Sequence, residues 1–335
     1  MNCKPQNSNW QSSNVNRKRQ TVNCKLIIFL AFISGSLFAQ QDAQYSMYHF
    51  NGLYLNPAYS GSHDILNATV IYRDQWVKMP GAPQTASVAI NSPLKNDRIA
   101  LGVIYTYDQI GVTKTNSLNA DFAYRLPLGK NKKIRLCFGI SAGFDNYRAN
   151  LNGVAVVDAN DPSFESNNQN RWLPNVGAGI YAYSDKFYAG ISTPRILANK
   201  LNGSVALFAT STGVARQYQN LLITGGYVFG LSKKIKFVPS VLLKYVPGHA
   251  PLTFDFNAKF VFIDRIWIGA AYRFNDSYNF MLAVNIIKQL CIGYSYDLTV
   301  SPLSKFTTGS HEVMIGFDTD FKHAKDAPVG GIRYF

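Results

Sequence analysis

The chain has 335 residues, 14% of them aromatic, with 33 Lys and Arg against 19 Asp and Glu, a formal charge of +14 and four cysteines. That length allows one large β domain or two smaller ones, and no run beyond residue 39 is apolar enough to cross a membrane as a helix. A mean hydropathy of −0.07 hides any membrane face whose apolar residues alternate with polar ones.

Residues 1–39 read as a signal peptide: Arg17, Lys18, Arg19 and Lys25 precede an apolar run from Leu26 to Phe38, ending at Ala39-Gln40. Five of the 33 basic residues and no acidic ones lie there, so the rest of the chain carries 28 against 19, or +9. These charges are scattered through turns and polar strand faces. That distribution disfavours nucleic-acid binding and suits anionic lipid headgroups or an acidic partner. Cys3 and Cys24 leave with the signal, and Cys137 and Cys291 are expected as free thiols on distant strands.

Residues 40–65 lack both helical and strand periodicity. They hold four Tyr and one Phe beside two His, with Pro57 and Gly61 as breakers. So many rings are unusual in a disordered tether, and a lumen wider than its own side chains fill needs closing. The segment is therefore expected to plug or cover a lumen through Tyr45, Tyr48, Phe50, Tyr54, Asn56, Pro57 and Tyr59.

From residue 66 to 322 the chain alternates apolar and polar side chains with a period of two. Leu136, Phe138, Ile140 and Phe144, for example, alternate with Cys137, Gly139, Ser141 and Asp145. Fourteen strands are predicted, at 67–76, 84–92, 98–108, 115–126, 134–145, 173–183, 187–194, 217–229, 235–246, 252–263, 265–274, 278–287, 290–299 and 310–321. Connections after even-numbered strands are tight and often basic. Those after odd-numbered strands are longer, including the stretch around Gly111, with only Asn275-Asp276 breaking the trend. Sorting by parity is the mark of an outer-membrane barrel with its short turns in the periplasm. The expected class is thus all-β, a transmembrane barrel of about 14 antiparallel strands, followed by a tail at 323–335.

Polar-phase charges at Arg73, Arg135, Lys236, Lys244, Asp255, Lys259 and Arg273 are assigned to the lumen. A basic side chain facing mid-bilayer lipid costs about 2–4 kcal/mol. Two uses remain open: ion pairs and water contacts filling the lumen, or a basic channel or dock for a partner segment.

Several stretches taken in order resemble the PorP/SprF family of outer-membrane proteins. They are Gln44-Tyr45-Ser46, Leu53-Tyr54-Leu55-Asn56-Pro57-Ala58-Tyr59-Ser60-Gly61, Tyr72-Arg73-Asp74-Gln75-Trp76, Leu173-Pro174-Asn175-Val176-Gly177, Leu242-Leu243-Lys244-Tyr245-Val246-Pro247-Gly248, Gly293-Tyr294-Ser295-Tyr296-Asp297 and Gly309-Ser310-His311-Glu312. Asn51-Gly52 and Gly330-Gly331-Ile332 depart from the family pattern. The resemblance implies a non-enzymatic part of the type IX secretion and gliding machinery of Bacteroidetes. Its implied partners are a secreted adhesin or other type IX cargo, other secretion components including periplasmic ring proteins, and outer-membrane lipid. No cofactor, metal or nucleic acid is implied. The alternative is a diffusion porin or small-molecule uptake channel, with a lipid-modifying barrel enzyme a distant third.

Two motifs invite an enzymatic reading. Gly139-Ile140-Ser141-Ala142-Gly143 spells a nucleophile elbow, but the elbow needs a strand, a sharp turn and a helix, and alternation runs through these residues unbroken. Ser92-Pro93-Leu94-Lys95 falls where a strand enters a tight turn. None of the five histidines sits at motif spacing from a partner.

Overall fold

A computed structural model describes residues 44–95, 97–129, 133–150, 168–199, 217–247 and 250–319. The expected signal peptide, the tail at 323–335 and the middles of the loops at 151–167 and 200–216 lie outside the described residues. Fourteen antiparallel strands close into a barrel: β1 (Leu66–Asp74), β2 (Gln84–Pro93), β3 (Ile99–Ile110), β4 (Thr113–Leu128), β5 (Ile134–Asn150), β6 (Asn168–Tyr183), β7 (Phe187–Thr193), β8 (Leu221–Tyr227, resuming at Phe229–Gly230), β9 (Ile235–Val246), β10 (Ala250–Phe262), β11 (Ile266–Arg273), β12 (Ser277–Asn285), β13 (Leu290–Thr299) and β14 (Ser310–Thr319). Closure comes from β1, which pairs with β2 on one side (Val70 opposite Val88) and with β14 on the other (Val70 opposite Ile315). A closed ladder leaves no unpaired edge for lipid to meet.

The faces are inverted relative to a water-soluble protein. Leu101 is 47% exposed, Phe280 54% and Ile140 61%, all on the outer surface, whereas Arg73 is 2% exposed and Lys259 0%. Such a continuous apolar exterior is stable only against hydrocarbon. No described helix is long and apolar enough to cross a membrane. Cys137 and Cys291 are free.

Most strand boundaries shift by one or two residues from the predicted ones, and a few differ more. β5 and β6 run on to Asn150 and back to Asn168, pairing register for register, because a hydrogen-bonded ladder continues past the apolar belt that alternation reports. The connection after β3 is a two-residue turn at Gly111-Val112, with Gly111 at φ 56°, not a longer loop. Residues 217–220 are not strand: Gln217 N–H donates to the carbonyl of Asn199 (2.9 Å), so β8 begins at Leu221. Gly139–Gly143 lies within β5, paired to β4 and β6 on either side, so the elbow geometry is absent.

Candidate functional site

Residues 44–65 occupy the lumen. Their local structure follows from the sequence: Asn56 is extended, its Oδ1 accepts from Ala58 N–H (2.9 Å), and Pro57 opens the 3-10 turn Pro57–Tyr59. An amide cap followed by proline is a standard helix start, because Pro has no N–H to leave unmet. Before it come a one-turn helix, Gly52–Leu55, and a 3-10 turn, Tyr48–Phe50. Their rings pack on one another and on the wall: Tyr45 edge-on to Tyr54 (4.8 Å between centroids), Tyr59 against Tyr181 (5.5 Å), Phe50 against Trp267 (6.1 Å). Of the seven segment residues singled out from the sequence, Tyr45, Tyr48, Asn56, Pro57 and Tyr59 are buried, and Phe50 and Tyr54 are half-buried.

The segment rises through the barrel. Ile65 enters β1 at the short-turn rim, where Gly61 N–H donates to Asn91 Oδ1 (2.9 Å). Higher up, Asn56 Nδ2 donates to the carbonyls of Ile180 (3.0 Å) and Ile191 (3.4 Å), and Ser192 Oγ donates to the carbonyl of Leu55 (2.6 Å). Ser46 and Met47 reach the ends of β13 and β14 nearest the long loops. There the Glu312 carboxylate accepts from both backbone N–H groups at 2.8 Å.

The wall is cut back where the segment touches it. A Cβ on Gly139 would overlap the backbone of Pro57 and Ala58, and one on Gly179 would overlap the Asn56 amide. One on Gly102 would stand 2.9 Å from Ser60 Oγ and 3.1 Å from Leu53. Glycine in a strand interior weakens it and commonly marks a close approach of another backbone, which is what these three residues accommodate.

Most of the charged positions assigned to the lumen meet charges of opposite sign. Arg73 meets Asp297 (2.6 Å) and Glu312 (3.0 Å), and also donates to Ser46 Oγ (2.8 Å). Arg273 meets Asp255 (3.0 Å), which accepts from Gln44 Nε2 (3.2 Å). Lys259 Nζ stands 5.7 Å from the centre of the Phe50 ring. Lys244 is buried on the lumen side of β9. Arg135 and Lys236 lie near the short-turn rim, 3.7 Å from Asp64 and 2.6 Å from Asp264. The lining is therefore not a field of one sign. Burial, with Lys259 adding to it, holds the His49 imidazole well below its ordinary value, so it is neutral.

Sequence reasoning missed Asp297, Glu312, Arg125 and Asp64. Arg125 is fully buried and bonds to Asp64 at the segment's lower end and to Tyr183 (2.7 Å). His63 bridges Asp318 (3.2 Å) and the Tyr59 hydroxyl (2.9 Å). Strand parity would have placed Asp297 and Glu312 inside, since each shares the phase of buried neighbours such as Ser295 and Met314. No cluster of metal-binding side chains occurs among the described residues.

A family model described as type IX secretion system membrane protein PorP/SprF matches residues 37–317. No curated protein matches the chain. Among solved structures, a Pseudomonas aeruginosa FadL homologue is 13% identical at a TM-score of 0.46, covering 80% of this chain and 93% of its own. The CymD monoaromatic hydrocarbon channel is 11% identical at 0.48, covering 82% and 94%. The Acinetobacter baumannii outer membrane protein Omp33 is 8% identical at 0.45, covering 76% and 98%.

Proposed function

The chain belongs to the PorP/SprF family of type IX secretion system membrane proteins, and from that premise we propose that it is a plugged, non-enzymatic outer-membrane barrel that helps a large secreted protein, such as an adhesin, to reach or stay on the cell surface. The observation that carries this reading is the occupied lumen. A diffusion pore needs a continuous water path, whereas here residues 44–65 are seated on glycines, held at the upper end by hydrogen bonds from Ser46 and Met47 to Glu312 and at the lower end by the Arg125–Asp64 ion pair. The short turns face the periplasm, so that rim is where other secretion components would meet the barrel. The long loops face outward, where a cargo protein would be held.

Two measurements test it. Purified barrel in a planar bilayer is expected to be electrically silent; steady ohmic conductance would favour the porin alternative. Deletion of the gene is expected to remove at least one large protein from the cell surface. An unchanged surface proteome, with impaired uptake of a small solute instead, would overturn the secretion role.

A further inference from the structure

The lumen holds residues 44–62 by main chain and side chain together. Wall groups bond to the N–H of Ser46, Met47 and Gly61 and to the carbonyls of Leu55 and, through Thr69 Oγ1 (3.3 Å), Phe50. Asn56 is read by its side chain, which lies against Gly179, and the backbone of Pro57 and Ala58 after it rests on Gly139. A wall that engages a chain through backbone groups and also reads side chains, here Gln44, Ser46, Asn51 and Asn56, is built as peptide receptors are. The one covalent tie to the barrel runs through Asp64 and Ile65.

Two further observations define the occupant. Residues 44–62 contain no Asp, Glu, Lys or Arg, and the arginines and carboxylates around them pair across the wall. The site therefore suits an uncharged, Tyr- and Asn-rich chain. The fit is also incomplete. Both ring nitrogens of His49, the Asn51 Oδ1, both amide atoms of Asn257 and the Trp267 Nε1 are buried with no partner among the described residues. Unmet buried groups are costly, so a chain that supplied partners to the wall's Asn257 and Trp267, and carried no unmet groups in place of His49 and Asn51, would bind in preference.

The geometry points to a peptide-binding channel: the lumen receives an uncharged, aromatic- and Asn-rich segment of the secreted partner, in the place that residues 44–62 hold as a tethered ligand. This rests on the plug reading of those residues and extends it by making the plug exchangeable.

The test uses the full chain with a protease site inserted between Asp64 and Ile65, assembled and then cut, and a fluorescent synthetic peptide of residues 41–64. Cut protein is expected to take up the peptide saturably. The Asn56→Ala peptide is expected to bind at least tenfold more weakly, and uncut protein to take up at least tenfold less, since a tethered segment has an effective concentration near millimolar. Absence of uptake by cut protein overturns the proposal. Conductance separates the two readings: stripped protein that conducts but binds no peptide leaves the plug standing and removes the receptor, while stripped protein that stays silent removes the plug as well. If the insertion blocks assembly, Asn56→Ala in the uncut chain is the second variant. It is expected to take up at least tenfold more wild-type peptide than the unaltered chain, and equal uptake overturns the proposal.

Discussion

The two ends of the lumen segment are fastened differently: at the upper end Ser46 and Met47 hydrogen-bond to a cluster of ion-paired wall residues, and at the lower end the segment's own Asp64 pairs with Arg125. At the upper end Arg73, Asp297 and Glu312 are each no more than 2% exposed in their side chains; at the lower end Arg125 is buried but its partner Asp64 is 33% exposed. Buried charges are costly to strand, because removing one partner leaves the other unsolvated, whereas a half-exposed partner falls back on water. The upper fastening therefore sets whether the segment stays, and the lower one mainly aligns its entry into β1.

Four changes break or sharpen that contrast. Arg73→Met leaves Glu312 without a cation, leaves Asp297 only Arg273 at 3.9 Å and removes the Ser46 contact, and is expected to cost about 3–5 kcal/mol in denaturant unfolding of the refolded barrel. It should also expose the segment to protease. Gly139→Val places a side chain where Pro57 and Ala58 lie. Overpacking of this kind costs about 1–3 kcal/mol, and the displaced segment should turn a silent barrel into a conducting one. If Gly139→Val stays silent with unchanged stability, the glycine seat is not what holds the turn.

The third change concerns pH. His49 is neutral when buried, so protonation favours the unfolded chain. Stability is complete above the unfolded histidine value of about 6.5 and falls as pH drops below it, by at most about 1.4 kcal/mol per pH unit. Unfolding midpoints measured across pH 5–8 should show that limb in the unaltered chain and a flatter one in His49→Gln. The smallest effect is expected for Asp64→Asn, about 0–1 kcal/mol, shrinking further in high salt as partly exposed pairs are screened. An Asp64→Asn loss as large as that of Arg73→Met would erase the difference between the two ends.

Much of this was legible in the chain. The alternation around Phe138 and Ile140 identified the outward face, the same parity put Arg73, Asp255, Lys259 and Arg273 inside, and the stretch where the rhythm breaks includes residues 44–65, which pack against the inner wall. The two-residue turn at Gly111 was not legible, because strand extends beyond the apolar belt into polar sequence that alternation does not mark. Nor was the meaning of Gly139: from the sequence it is a small residue in a polar phase, and only the approach of Ala58 shows why nothing larger fits.

The sequence by itself determined the barrel, its strand number and which side of each strand meets lipid, since a period of two is a local property. The parity of loop lengths held only in part, because β3–β4, β9–β10 and β11–β12 are joined by as few as two or three residues. Tertiary structure decided which charges pair and what the lumen contains. Ser46 meets Glu312 across 266 residues of chain and Asn56 meets Ile180 across 124. Such contacts exist only once β14 has closed on β1 and the segment has turned back inside, and no local pattern encodes that return.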